Sequence, residues 1–186
     1  MDAPAPYRLR LATVDDMSAW RTHLSEHMHE NGANGAWFAP FSLEQVAKRF
    51  TPERVAESRT AAAKGFDETD WLRVIVAEDA SGAMIGHTDL HGGSIESELH
   101  RCKLGIGILA AHHRRGLGIA LMKATIDLAR DAGLAWMDLA VFAGNDPAIA
   151  LYRKLGFVEV GRVSDRFRVE GVALIDIVMA LDLKPR

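Results

Sequence analysis

The chain carries a single cysteine, Cys102, among its 186 residues. One thiol can form neither an internal disulfide nor a cysteine-based zinc site, which suits a reducing compartment. Basic charge is not in excess either. Lys and Arg number 22 against 25 Asp and Glu, for a net charge of −3. That argues against general nucleic-acid binding and leaves only local basic patches. No apolar run approaches the roughly 18 residues of a membrane span. The start, "MDAPAPYRL", has an acid and two prolines where a signal peptide has a basic start and an apolar run. Low-complexity tracts and internal repeats are absent. These absences read together as a cytoplasmic protein that engages neither membrane nor nucleic acid. What remains is 48% hydrophobic and 25% charged, a globular composition. The length suits one domain over residues 1–186 able to bury a sizeable core, with residues 1–6 as a flexible tail.

Periodicity divides the chain into short elements. Tyr7–Thr13 alternates apolar and basic residues as a first strand, and Thr13 with Asp16 starts a helix that "NGANG" at 31–35 ends. "SLEQ" at 42–45 matches a capping box, and "TPE" at 51–53 places proline at a first helical position. Two short helices or one interrupted helix therefore fill 42–64. Strands follow at Trp71–Asp79, Ala83–His91 and His100–Ala110, the last holding Gly105 and Gly107, which suit a bulge. Apolar residues at three- and four-residue spacing make 116–132 a helix with Gly133 as its stop. Trp136–Phe142 is a strand, "NDPAIALYRKLGF" is a helix capped by Asp146, and strands near Val158–Val163 and Ala173–Leu183 close the chain. The central strand–helix–strand unit requires a parallel pair with a right-handed crossover.

The stretch "HHRRGLGIAL" at 112–121 carries the clearest chemistry. It joins a strand to a helix. First-turn N–H groups lack intrahelical partners, and the helix dipole favours anions there. Glycines at 116 and 118 remove the Cβ atoms that would hold a phosphate off the backbone. Arg114 and Arg115 add charge. The alternative is a tight turn with a solvated basic face. A Walker-type loop lacks its Lys-Ser/Thr here, and a Rossmann fingerprint lacks its third glycine, since position 121 is Leu121.

"LGIGILAAHHRRGLGIALM", followed some thirty residues on by "NDPAIALYRKLGFVEVGR", resembles the GNAT superfamily of N-acetyltransferases. The resemblance is strongest over Lys103–Arg162. The family's Gln/Arg-x-x-Gly-x-Gly/Ala pattern falls on His113 to Gly118, with His in place of Gln or Arg. It implies an α/β fold: a mixed, mostly antiparallel sheet of about six to seven strands, a splayed central parallel pair, and helices on both faces. It implies acetyl-CoA as donor, with pantetheine along the backbone of Ile108, Leu109 and Ala110. The pyrophosphate falls on His113, Arg114, Arg115, Gly116, Gly118 and Ile119, with Asn145 at the mouth of the gap. Tyr152 matches the family's tyrosine that protonates the departing thiolate; the plain alternative is a packing aromatic.

The base is left open by the same resemblance. Glu98 and His100 share strand parity with Cys102, and a water relayed to Glu98 or Asp89 is the other route. "HLSEH" at 23–27 fits an inverted zinc-protease pattern, but no third ligand is evident, and no metal is expected. Those residues, with Trp20 and Trp37, suit the acceptor side. The implied reaction moves acetyl to a primary amine, on a small molecule, by direct attack in a ternary complex. A homodimer is compatible with it. The competing reading is a non-catalytic acyl-CoA-binding sensor or interaction module on the same fold.

Overall fold

The computed structural model describes residues 7–33 and 37–184. The expected tail at 1–6 and part of "NGANG" lie outside that range. Strand β1 (Arg8–Leu11) leads through Thr13 into helix α1 (Met17–Met28). Asp16 fixes that junction: Oδ2 accepts the Thr13 N–H at 2.7 Å, and the carboxylate takes both Arg10 terminal nitrogens at 2.7 and 2.8 Å. The 42–64 segment resolves as two helices, α2 (Leu43–Ala47) and α3 (Pro52–Ala63). The capping box forms, with Gln45 Oε1 accepting the Ser42 N–H at 2.9 Å and Ser42 Oγ the Gln45 N–H at 3.4 Å.

Strands β2 (Leu72–Glu78), β3 (Met84–Gly92) and β4 (Arg101–Ile108) form a meander. Helix α4 (Leu117–Asp131) follows and ends in a Schellman turn. Gly133, at φ 76°, lets its own N–H reach Arg130 O at 2.9 Å and the Leu134 N–H reach Ala129 O at 3.1 Å. Then come β5 (Trp136–Phe142), α5 (Asp146–Lys154), β6 (Val158–Val169) and β7 (Val172–Asp182). Two expectations shift. Asn145, not Asp146, caps α5, its Oδ1 accepting the Ala148 N–H at 3.4 Å, so Pro147 moves one place inside. Strand β6 also runs past Val163 to Val169, because a register shift between Val163 and Phe167 lets pairing with β7 resume.

The sheet order is β1-β2-β3-β4-β5-β7-β6, antiparallel except for β4 with β5. Strand parity sends neighbouring residues to opposite faces. On one face Gly86 lies against Leu117 and Leu121 of α4, and Leu90, Cys102, Leu104 and Met122 join the main core with Ile149 and Tyr152 of α5. On the other, Trp20 and Met17 of α1 pack on Leu72, Val74 and Val76, while His23 meets His87. Helices therefore cover both faces. One polar contact locks α4 to the sheet: the Thr88 and Thr125 hydroxyls are 2.5 Å apart, and Thr125 Oγ1 also donates to Leu121 O at 2.8 Å.

That pairing is asymmetric, because Thr125 keeps a carbonyl partner if Thr88 is lost, whereas Thr88 has only Thr125. Leaving a buried hydroxyl unsatisfied costs about 1–3 kcal/mol. Thr125→Val is expected to destabilise by that amount and Thr88→Val by less. The double variant should recover part of the loss in urea titrations.

Candidate active site

Strands β4 and β5 pair only at Arg101–Trp136, Cys102–Met137 and Lys103–Asp138. Beyond that, residues 104–108 and 139–142 diverge, each still bonded to its outer neighbour. The parting needs no bulge in β4. Its register with β3 runs unbroken from Gly86–Ile108 to Gly92–Cys102, and the expectation that Gly105 and Gly107 open the gap by bulging is corrected. They make room across the α1 face instead. A Cβ on Gly105 would lie 2.6 Å from Asp89 Oδ2, and one on Gly107 would lie 2.5 Å from His87 Cε1 and 2.7 Å from His27 Nδ1.

The loop after β4 passes through a short 3₁₀ turn (Ala110–His112) to Gly116. Gly116 is left-handed at φ 78° and brings no capping side chain, so the amides of Leu117, Gly118 and Ile119 open the helix without a cap. Arg114 is also left-handed, at φ 59°. A Cβ on Gly118 would sit 3.3 Å from Leu151 Cδ2 and 3.4 Å from Ile108 Cδ1; that glycine therefore also lets α4 approach α5. These uncapped amides, with Arg114 and Arg115 beside them, fit a phosphate. Two backbone groups along the gap are engaged by side chains. The Ala110 N–H donates to both Glu30 oxygens at 3.1 Å, and the His113 ring lies 2.8 Å from Ile108 O. A pocket of about 370 Å³ lies between Tyr7, Asp79, His112, Arg115 and Leu117, where the β2–β3 turn meets the loop and the helix start.

The α1 face holds a polar group that strand alternation lines up. His87, Asp89 and His91 share one side of β3. Asp89 Oδ1 lies 3.3 Å from His87 Nε2 and Oδ2 lies 2.8 Å from His91 Nε2. Burial alone would raise the Asp89 carboxyl, but the two histidines hold it well below the usual range. His91 is raised: burial opposes protonation, and the Asp89 hydrogen bond and charge outweigh it. Above them sit His23, whose ring centroid is 5.1 Å from that of His87, and His27, stacked on Phe38 at 4.3 Å. Burial, with His87 beside them, lowers His23 to about 4 and His27 to about 3. Both are neutral at pH 7. Both His23 nitrogens, Nδ1 of His27 and His87, and Trp20 Nε1 are buried without a partner among the described residues.

The Acetyltransferase (GNAT) family profile matches residues 22–157. The chain belongs to the GNAT acetyltransferase family. It is 32% identical over 114 residues to an L-methionine sulfoximine/L-methionine sulfone acetyltransferase of Pseudomonas paraeruginosa, covering 60% of this chain and 66% of that one. It is 36% identical over 154 residues to a mycothiol acetyltransferase of Clavibacter sepedonicus, covering 83% of this chain and 43% of that one. The match thus spans less than two thirds of either relative. Among solved structures, the Salmonella typhimurium protein yncA, determined with acetyl-CoA, superposes with a TM-score of 0.74 at 21% identity, over 97% of this chain and 95% of that one. A GNAT acetyltransferase from Streptococcus pneumoniae superposes at 0.79 and 20% identity, over 95% and 99%.

Within this GNAT chain the structure separates residues that the sequence put side by side. Ile108, Leu109, Ala110, His113, Arg114, Arg115, Gly116, Gly118 and Ile119 run contiguously along the gap and loop. Tyr152 is 6% exposed, packed near Phe157 at 5.9 Å, and burial pushes its phenol up. Glu98 and His100 do not join this group. Strand β4 begins only at Arg101, Glu98 lies on a one-turn 3₁₀ helix, and both side chains are exposed. The His100 carbonyl accepts the Ala135 and Trp136 N–H groups, at the closed end of the β4–β5 pair. The parity argument that selected them does not apply. Trp37 packs with Phe142, Val169 and Leu174, carrying the α1–α2 connection across the far ends of β5, β6 and β7. His23 and His27 face β3, and no metal-holding set of three His, Cys, Asp or Glu side chains occurs among the described residues.

Neutral buried histidines make stability depend on pH. Their folded pKa values lie below the unfolded value of about 6.5, so the unfolded chain binds more protons in between. The stability they permit is complete above pH 6.5 and is lost as pH falls toward 4. Urea titrations at intervals from pH 7 to pH 4.5 should show this decline. His27→Gln should flatten the slope by up to about 1.4 kcal/mol per pH unit, whatever it does to stability at pH 7.

Proposed function

We propose that the chain is an acetyl-CoA-dependent N-acetyltransferase that serves a primary amine by direct attack in a ternary complex. One observation carries the reading: the gap between β4 and β5 has an uncapped helix start at one end and, across Gly105, a partly buried carboxylate on the acceptor face. Acetyl-CoA supplies an activated thioester when bound. Ile108 and Leu109 offer it an extended backbone, as in strand addition, and Ala110 its N–H at the start of the 3₁₀ turn, once Glu30 and His113 release Ala110 and Ile108. The amides of Leu117 to Ile119 and the guanidiniums of Arg114 and Arg115 hold its phosphates, with Asn145 at the mouth.

The remaining roles belong to side chains on the two faces. Asp89, held as an anion, draws an ammonium toward Gly105, and His91, half-exposed with its ring fixed by Asp89, takes the amine proton out to solvent. Tyr152, kept protonated by burial, donates to the leaving thiolate from the opposite face. Backbone N–H groups of β4 that point into the gap stabilise the oxyanion. Direct attack is favoured over an acyl-enzyme because the only thiol is unfit as a nucleophile. Cys102 is 1% exposed, burial pushes it up to about 12, and its Sγ donates to Trp136 O at 3.7 Å.

The test is thiol release from acetyl-CoA across a panel of primary amines. Turnover with at least one amine supports the enzyme, while tight acetyl-CoA binding without turnover supports the sensor module. On a confirmed amine, Tyr152→Phe should lower kcat by roughly 10²-fold, the low end for a general acid because a thiolate leaves fairly well unaided. KM for acetyl-CoA should stay nearly constant. An unchanged kcat with chemistry rate-limiting makes Tyr152 a packing residue only.

A further inference from the structure

The far end of β4 is partly covered by the chain's own side chains. Ile108 O lies 2.8 Å from His113 Nε2, and the Ala110 N–H is shared between the two Glu30 carboxylate oxygens at 3.1 Å. Between these groups the Leu109 N–H points the other way, to Ile85 O at 3.2 Å on β3. Strand alternation explains the pattern, since backbone groups two residues apart share an edge. The C=O of 108 and the N–H of 110 therefore both face the slot. In a parallel ladder one residue bonds to a C=O and an N–H spaced in just this way on its neighbour. They are the two groups that an added amide would engage together.

The two side chains reach this edge from different elements. Glu30 follows the last turn of α1 and lies 80 positions from Ala110 in the chain. The Ala110 amide is the only side-chain partner of its carboxylate among the described residues. His113 ends the 3₁₀ turn and directly precedes Arg114 in the loop to α4. An anion donated from α1 and an imidazole donated from the loop thus close over neighbouring positions of one strand edge. Both contacts are exposed to solvent, so each is worth about as much as an ordinary net hydrogen bond. That is strong enough to occupy the edge and weak enough for a ligand to displace.

We propose that Glu30 and His113 form a self-inhibitory cover on the slot edge of β4, closed in the free chain, which acetyl-CoA displaces to seat a pantetheine amide. The proposal rests on the acetyl-CoA reading of the slot. The cover satisfies a strand edge that would otherwise be open to pairing with another chain. It also lowers affinity for the co-substrate by the worth of the contacts broken. Its halves answer to different parts of the ligand. His113 belongs to the loop that receives the phosphates, whereas Glu30 competes with the pantetheine arm alone. A nucleotide without that arm leaves Glu30 in place.

The experiment is calorimetry on the full chain with acetyl-CoA and with 3′-phosphoadenosine 5′-diphosphate, which carries the phosphates but no pantetheine. Glu30→Ala should tighten acetyl-CoA about three- to tenfold, the range for one net hydrogen bond no longer broken. It should leave the nucleotide nearly unchanged at 0.15 M salt, where a distant charge is screened. Glu30→Gln keeps an acceptor oxygen without the charge and should fall between wild type and Glu30→Ala. Amide hydrogen exchange without ligand checks the contact itself. Ala110 should exchange faster in Glu30→Ala, while Leu109, bonded to Ile85, stays as protected as in wild type. Acetyl-CoA affinity that is unchanged or weaker in Glu30→Ala overturns the cover. Equal tightening of the nucleotide overturns it too, by assigning the effect to charge at the phosphate site. If acetyl-CoA binds to no variant, the acetyl-CoA reading of the slot fails, and Ala110 exchange still decides whether Glu30 closes the edge.

Discussion

The hydrogen bonding between β4 and β5 ends at Lys103–Asp138, and the site depends on that ending. Past it, each strand is satisfied on its outer edge by β3 or β7, and its inner edge has no partner strand; Ile108 O there meets the His113 ring. Backbone polar groups inside a protein need partners, so two facing inner edges form a slot shaped for an extended, amide-bearing ligand. The slot stays open because its sides are held by independent packing. Helix α4 grips β3 through Thr88–Thr125 and the contacts at Gly86, and α5 is anchored to β5 and β7 through the main core. The close approach of α4 and α5 at Gly118–Leu151 aims the uncapped helix start at the slot's mouth.

The two faces of the slot differ in chemistry. The α4/α5 side is mostly apolar, with hydroxyls from Tyr152 and the paired Thr88 and Thr125, and a buried Cys102 that stays protonated. The α1 side is polar, and two glycines give it access. At positions 105 and 107 any side chain would collide with Asp89 or His87, so the carboxylate and imidazoles of β3 and α1 lie over bare β4 backbone. In the proposed mechanism, acid and base roles therefore fall on opposite sides of the sheet, which keeps a proton donor for the thiolate apart from a proton acceptor for the amine.

Much of this was legible in the sequence where one rule governed a segment. Trp136–Phe142 reads as a strand and is one, and 116–132 carries a helical stripe that α4 buries. Glu170 and Gly171, both left-handed, make the turn between β6 and β7. The loop glycines and Tyr152 were identified through a motif rather than through periodicity. The polar face was legible only in part: Asp89 stood as a water-relay route and His23, His27 and Trp20 on the acceptor side, while His87 and His91 were missed for a physical reason. Parity was applied to the segment before Cys102, but Glu98 and His100 precede the strand. The same period-two signal stands in "HTDLH" at 87–91, where it places His87, Asp89 and His91 on one side. What hides it is that only the pairing of β3 with β4 reveals glycines opposite the first two. The cap of α5 slipped by one residue because Asn145 and Asp146 are both good caps, and local sequence does not choose between them.

The central claim is that the β4–β5 gap and the start of α4 together receive acetyl-CoA. Amide hydrogen exchange with and without saturating acetyl-CoA tests it at the residues concerned. The account predicts new protection at Leu117, Gly118 and Ile119 and retained or increased protection at Ala110, where one partner, Glu30, gives way to another. Protection confined to the pocket beside Tyr7 and Asp79, with the first turn of α4 exchanging as before, would contradict it.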